Sequence, residues 1–279
     1  MVLGSRRCSL RWGRVLALLA VIPGSTPAGA GEAFDRVAGV EAEELLLTAE
    51  VIEVERIPVG VTRPKRVTLT DGVRTIRAVW KTLSEYSQVR EFYDGRPAEI
   101  GFRDSYKSEI AAYELDRLLG LGLVPPTVQR KIGKKKGSLQ LWLEGTITEA
   151  ARRERGLKPR DIEAWEQQNH NVRLFHQLIY DADYENQENL VVDEDFRLWV
   201  VDHSRAFRHQ ANLLESDSLE RFSGQHLERL RELTAEVLEA RLGQWLTSIQ
   251  RRGLLARRNL IVERADRLVG ERGRAAVIF

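Results

Sequence analysis

The chain has 279 residues, 43% of them apolar and 30% charged, enough to bury one large core or two modest ones and too apolar for a disordered or collagen-like chain. Its 43 Lys and Arg against 41 Asp and Glu leave a net charge of +2, without the broad basic field of a nucleic-acid binder, so no nucleic-acid partner is expected. The single cysteine, Cys8, excludes an intrachain disulfide framework and a cysteine-built zinc site, which leaves oxygen and nitrogen groups to carry any chemistry.

At the amino terminus, Arg6, Arg7, Arg11 and Arg14 precede the apolar run Val15 to Ile22, and small residues follow through Ala28-Gly29-Ala30. These are the three parts of an export signal, with cleavage expected after Ala30. Ser5-Arg6-Arg7 also resembles the opening of a twin-arginine signal, although Ser9 stands where a bulky apolar residue is usual. The apolar run is far shorter than the ~20 residues needed to span a bilayer, so no stable membrane span is expected. Removing this segment takes away Cys8 and leaves acids slightly in excess.

Residues Ala42 to Val54 suit a helix or a strand equally, because Leu45, Leu46, Leu47 and Val51 fit either period. Further on, Ile57-Pro58-Val59-Gly60 and Val67 to Thr70 flank a turn-rich piece, Asp71-Gly72 marks a hairpin turn, and Thr75 to Trp80 alternates before Lys81. This stretch predicts a small antiparallel sheet. Between Ser105 and Leu121, the positions Ile110, Ala111, Tyr113, Leu115, Leu118 and Leu119 follow helical spacing until Gly120 and Pro125-Pro126 stop the helix. Lys134-Lys135-Lys136 reads as a solvated hairpin tip ahead of a strand from Leu139 to Leu143.

After Glu144-Gly145 the pattern turns helical, first over Asp161 to Gln168 and then over Asn171 to Ile179. The polar stretch Asp181 to Asn189 follows. Two short strands, Leu190 to Val192 and Leu198 to Val201, bracket the turn Asp193-Glu194-Asp195 and deliver Asp202 at their far end. The tail, Leu219 to Leu246 and Leu254 to Leu268, is amphipathic helix, and no internal repeat is visible.

A sheet ending in lysine, a helix carrying glutamate, a crossover strand, helices, a polar loop and a strand ending in aspartate form a kinase-like order. The expected class is α+β with two lobes: residues 31–143 as a nucleotide-binding lobe of sheet plus helix, and residues 144–279 as a mainly helical catalytic lobe. Phosphoryl transfer needs a lysine on the nucleotide phosphates, a carboxylate to hold that lysine, oxygen ligands for magnesium and a carboxylate facing the nucleophile.

The segment Ser108-Glu-Ile-Ala-Ala-Tyr-Glu-Leu-Asp-Arg-Leu-Leu-Gly-Leu-Gly-Leu-Val-Pro-Pro-Thr127 resembles the glutamate helix of secretory-pathway kinases typified by the Golgi casein kinase. Leu198-Trp-Val-Val-Asp-His-Ser-Arg-Ala-Phe207 is similar to the metal-binding aspartate segment shared by those kinases and by phosphatidylinositol 3/4-kinase-like proteins. The resemblance runs from about Ile57 to Arg208 and rests on several segments occurring in the right order.

It implies that Lys81 contacts nucleotide phosphates, that Glu109 pairs with it, and that Asp202 holds magnesium or manganese, with His203 orienting the turn. Taken singly, Lys81 and Glu109 read as surface charges, and Glu114 is a rival partner farther along the helix. Gly60 to Arg66 resembles a phosphate-covering loop, with Thr62 available to the phosphates, and reads equally as a basic hairpin turn.

The loop Tyr180-Asp-Ala-Asp-Tyr-Glu-Asn-Gln-Glu-Asn189 departs from its relatives. Asp183 aligns with the catalytic base and Asn189 with the second metal ligand, at a spacing one residue longer than usual. Glu188 stands where relatives have glycine, and Tyr184 or Glu185 where they have arginine. Asp181 and Asn186 are the alternatives for base and amide ligand.

His170 and His176 do not share a helical face and read as structural or exposed. Trp165, Trp199 and Trp245 read as core, as does Trp142, which at the lobe crossover could also flank an adenine pocket. The implied activity is an exported kinase-like transfer of the ATP γ-phosphate to a hydroxyl acceptor on a protein, glycan or lipid head group. The altered loop motivates a second reading, a degenerate kinase that binds nucleotide or a partner without turnover. A third is transfer of AMP from the same pocket.

Overall fold

The computed structural model describes residues 34–57, 64–92 and 98–279. Residues 1–30, which the sequence suggests are an export signal, lie outside the described residues, as do Gly60 and Thr62.

Helix α1 (Gly39–Thr48) is followed at once by strand β1 (Glu50–Arg56), so the ambiguous stretch divides into both structures. Ala42, Leu45 and Leu46 recur at helical spacing and are buried, whereas the backbone turns extended at Ala49. Strands β2 (Lys65–Thr70) and β3 (Thr75–Lys81) form the hairpin expected around Asp71-Gly72. The Asp71 carboxylate accepts from the Val73 and Arg74 N–H groups at 2.9 and 2.7 Å, and Gly72 takes the positive φ of 87°.

A second hairpin, β4 (Ser84–Arg90) and β5 (Glu99–Ser105), forms a separate two-stranded sheet that the sequence pattern does not reveal. Its first strand is polar on both faces, so it lacks the alternation that marks a half-buried strand. Helix α2 (Tyr106–Leu119) follows directly, capped at its start by Ser105, whose hydroxyl accepts from the Lys107 N–H, and ended by left-handed Gly120 at φ 66°. Strands β6 (Thr127–Ile132) and β7 (Lys135–Leu141) then complete a five-stranded antiparallel sheet in the order β1-β2-β3-β7-β6. Ile132 pairs with Lys135, so Gly133-Lys134 is the tip, and Lys135 and Lys136 belong to the strand rather than the turn. The strand also starts and ends earlier than Leu139 to Leu143.

Gly137 on β7 has a structural reason to lack a side chain: a Cβ there would lie 2.2 Å from the Lys81 carbonyl and 2.7 Å from the Trp80 indole nitrogen. Gly137→Ala should therefore destabilise the protein by about 1–3 kcal/mol through displacement of β3. A denaturant melt unchanged from the parent would refute this.

The remainder is mostly helical. Strand β8 (Ile147–Thr148) leads into α3 (Glu149–Glu154) and then α4 (Ile162–Ile179), a single helix where the sequence reading divides it in two. Nothing between Gln168 and Asn171 breaks it, since the Asn169 amide turns back to donate to the Trp165 carbonyl at 2.8 Å. Strands β9 (Leu190–Val192) and β10 (Leu198–Val200) pair as expected and join β8 in a three-stranded sheet. A 3-10 turn at Ser216–Ser218 precedes α5 (Gly224–Arg231), α6 (Ala235–Leu242), α7 (Ser248–Arg272) and α8 (Arg274–Val277). No described helix is long and apolar enough to cross a membrane.

Two apolar cores result. One lies between α1 and the five-stranded sheet and includes Leu46, Leu69, Ile76 and Leu139. The larger one gathers the helical half, and α2 joins it through Ala111, Leu115 and Leu119 against residues such as Leu178, Leu230 and Ile261. Helix α2 thus holds Glu109 in its first turn against Lys81 of the sheet and runs on into the helical core.

Asp116, near the end of α2, accepts from the Leu123 N–H at 3.0 Å. Burial outweighs this and a second N–H donor, Val124, and pushes its carboxyl up to about 6. Over the window from the ordinary carboxylate value to about 6, the folded state holds a proton that the unfolded chain has released. The stabilisation is therefore complete below pH 4 or so and lost as pH rises through 6, a difference of roughly 3 kcal/mol. Asp116→Asn should flatten the melting temperature over that window, and identical slopes in parent and variant would count against the account.

Candidate active site

Strand β3, helix α2 and the turn after β10 meet at three side chains. Lys81 Nζ donates to Glu109 Oε1 at 2.6 Å and to Asp202 Oδ1 at 2.8 Å. The other Glu109 oxygen accepts the backbone N–H of His203 at 3.0 Å, so one carboxylate ties the lysine to the residue following Asp202. Glu109 is 2% exposed and Lys81 9%, which makes this a desolvated cluster rather than a surface ion pair. Burial opposes the Lys81 charge, but Asp202 and Glu109 outweigh it and raise the ammonium above its ordinary value. Burial likewise opposes the Asp202 charge, and Lys81 more than compensates, lowering that carboxyl. Glu114, the rival, faces elsewhere and bonds Arg241 at 3.1 Å.

Asp202 itself has a positive φ of 65°, unusual for a residue with a side chain. The turn that forces it is held from behind. His203 is fully buried, edge-on to Phe175, and its ring nitrogen Nε2 lies 3.3 Å from the Val200 carbonyl. Behind it, Asp181 is 1% exposed and bonded to His176 Nδ1 at 3.1 Å. His203 Nδ1 is 3.8 Å from the same oxygen, beyond hydrogen-bond reach but close enough to act by charge. Burial raises Asp181, yet these two imidazoles prevail and hold it well below the ordinary carboxylate range. His176 is thus a structural group of the loop, and Asp181 is enclosed.

The free oxygen of that support, Asp181 Oδ1, accepts the Asp183 N–H at 3.1 Å and so fixes the loop that carries Asp183. The Asp183 side chain is 39% exposed, with the Arg205 guanidinium 3.8 Å from Oδ2. Asn189 is buried, and its side-chain oxygen accepts from the Asn186 amide at 3.3 Å. The Asn189 carbonyl also accepts the Val201 N–H at 2.9 Å, which places it across the ladder from the residue before Asp202. Asn186 is spent on the loop itself, its oxygen accepting the Glu188 N–H.

Next to the cluster, a cleft of about 180 Å³ is lined by Val79 of β3, Gln140 and Leu141 of β7, the connector Trp142, Leu143 and Thr146, and Val191 and Val201 from the helical half. Trp142, expected either as core or beside a base pocket, lies on this wall. Arg77 closes the rim with a two-pronged pair to Glu144, its guanidinium 5.4 Å from the Trp142 ring centre. The other tryptophans divide: Trp165 is buried, whereas Trp199 and Trp245 are only partly so.

Sequence reasoning missed Asp104 and Arg205. Asp104, at the end of β5, is 6% exposed, and burial, reinforced by the Asp202 charge, pushes its carboxyl up. Arg205 joins Glu99 of β5 at 2.8 Å to the turn after Asp202. Arg205 stands inside the segment Leu198 to Phe207 but carries no role of its own there, and Asp104 belongs to no motif, though it stands just ahead of the Ser105 cap, where a further polar group is redundant for capping. Among the described residues, no three His, Cys, Asp or Glu side chains form a stand-alone metal cluster. Asp202 and Asn189 are hard oxygen donors of the kind magnesium or manganese takes when phosphates complete the shell.

No family model matches the chain, and no curated protein matches it. Among solved structures it is similar to a crystal structure of the Golgi casein kinase, at 15% identity and a TM-score of 0.57 over 85% of this chain and 78% of that one. It is also similar to the Golgi casein kinase with Mn/ADP bound, at 16% identity and a TM-score of 0.58 over the same shares. The likeness establishes a kinase-like fold, with an antiparallel sheet and a helical half.

Proposed function

We propose that the chain is an exported, ATP-dependent phosphotransferase acting with magnesium or manganese on a hydroxyl-bearing acceptor. The observation that carries this reading is the buried contact set of Lys81, Glu109 and Asp202, with Glu109 also bonded to the His203 N–H. Three elements distant in sequence converge there on the groups that phosphate chemistry requires. The neighbour solved with Mn/ADP supports the choice of ligands.

In this reading, residues 31–143 and 144–279 are the two lobes, with α2 bridging them, and the base of the nucleotide occupies the cleft walled by Val79, Trp142 and Val201. Lys81 binds the phosphates, and Glu109 fixes the lysine's position. Asp202 and Asn189 would hold the cation, which supplies charge neutralisation for the phosphates when bound. Asp183 takes the proton from the acceptor hydroxyl, its backbone held by Asp181 and its side chain oriented by Arg205. Thr62 is assigned to the phosphates by resemblance alone.

A thermal-shift titration with ATP and either metal tests the site, since a ligand that binds the native state raises its melting temperature. A metal-dependent rise supports the reading, and no rise with any nucleotide in a folded protein refutes it. One observation favours a second reading, nucleotide binding without transfer: the loop carrying Asp183 and Asn189 is longer than in relatives and adds Glu188. Product mass after incubation with candidate acceptors separates the two and would also reveal transfer of AMP instead of phosphate.

A further inference from the structure

Asp104 is a buried carboxylate with an unmet bond. It is 6% exposed, and its Oδ1 has no hydrogen-bond partner. Asp104 lies within electrostatic range of Asp202, whose Oδ1 accepts from the Ser204 hydroxyl at 3.4 Å. The backbone enforces this convergence, because the Ser105 N–H donates to the Ser204 carbonyl at 2.9 Å and pins the end of β5 to the turn after Asp202.

Charge counting points the same way. The Lys81 ammonium already bonds Glu109 and Asp202, and Asp104 adds a third carboxylate within its electrostatic range. Arg205 lies within electrostatic range of Asp104 but bonds Glu99 at 2.8 Å and approaches Asp183. A buried anionic oxygen without a donor is costly unless a proton or a cation meets it.

We propose that Asp104 supplies a carboxylate oxygen to the divalent cation held at Asp202, as a ligand contributed by the β4–β5 hairpin. Two carboxylates offer hard oxygens that suit magnesium or manganese, and nucleotide phosphates and water fill the remaining positions. The inference rests on the phosphotransferase reading and deepens it.

The test is Mn²⁺ binding in the presence of ADP, followed by the loss of the free-ion electron paramagnetic resonance signal, in the parent, Asp104→Asn and Asp202→Asn proteins. Asp104→Asn should weaken Mn²⁺ binding at least tenfold. Without metal it should also melt no lower than the parent, because removing a like charge relieves repulsion. Asp104→Ser, smaller and neutral, gives the same reading if the asparagine variant folds poorly. Parent-like Mn²⁺ affinity in both variants, with Asp202→Asn impaired, overturns the role of Asp104 and leaves the phosphotransferase reading standing. A lowered metal-free melting temperature with unchanged affinity assigns Asp104 a structural role and also overturns it. If the parent protein binds neither ADP nor Mn²⁺, both readings fail together.

Discussion

Asp202→Asn should abolish the metal-dependent stabilisation by ATP and lower phosphoryl transfer by on the order of 10³-fold or more. The substitution keeps the shape of the side chain but removes the charge that faces Lys81 at 2.8 Å and would face the cation. Lys81 keeps Glu109 as a partner, so the fold should survive. Thermal shift with and without Mn²⁺ and a single-time-point transfer assay would read the two effects separately. Retention of a tenth or more of the parent activity would remove Asp202 from the metal role.

The largest stability effect should come from Arg257 on α7, which is fully buried. Its guanidinium has carbonyls for partners: Leu178 at 2.8 Å, Arg208 at 3.1 Å, and Gln210. Leu178 lies in the last turn of α4, where the helix dipole favours a cation, although burial still pushes the arginine down to about 10. Around it, the Gln250 amide donates to the Phe207 carbonyl at 3.0 Å, and Gly253 leaves no room for a Cβ against the His209 carbonyl, 2.7 Å away. Arg257→Met would strand these carbonyls, at a cost of about 3–5 kcal/mol. By contrast Arg267→Ala, on the exposed part of the same helix, should stay within about 0.5 kcal/mol. Chemical denaturation of the two variants decides it, and a loss below 1 kcal/mol for Arg257→Met would sink the argument.

The legible parts of the fold were those whose pattern is local. The turn at Asp71-Gly72, the helix ended by Gly120 and the strand pair around Asp193 each carry their own boundary residues, and each forms where the sequence places it. The β4–β5 hairpin was silent because its burial comes from packing against the segment after Asp202, not from alternation within the strand. Helix α4 is continuous although polar residues at Gln168 and Asn169 look like a break in the sequence, because their side chains bond the helix backbone and β10.

In the site, Glu109 and Asp202 could be singled out because each stands inside a segment with a family resemblance, and Lys81 because it ends the strand that the order of elements calls for. Asp181 reads from the sequence as an alternative base, but its two imidazole neighbours come from α4 and from the turn after β10, a convergence that no linear spacing reveals. Asp104 belongs to the same class. Its surroundings are set by which strand end meets which turn, and that is a property of the folded chain alone.

The β4–β5 hairpin begins and ends at one place: Ser84 pairs with Ser105, and the Tyr106 N–H donates to the Leu83 carbonyl at 2.8 Å. Lys81 and Glu109 therefore keep their separation whatever the length of the chain between Arg90 and Glu99. Extra residues added there would leave the lysine–glutamate pair undisturbed, which makes that point the natural place to graft a tag, a reporter or an evolved appendage.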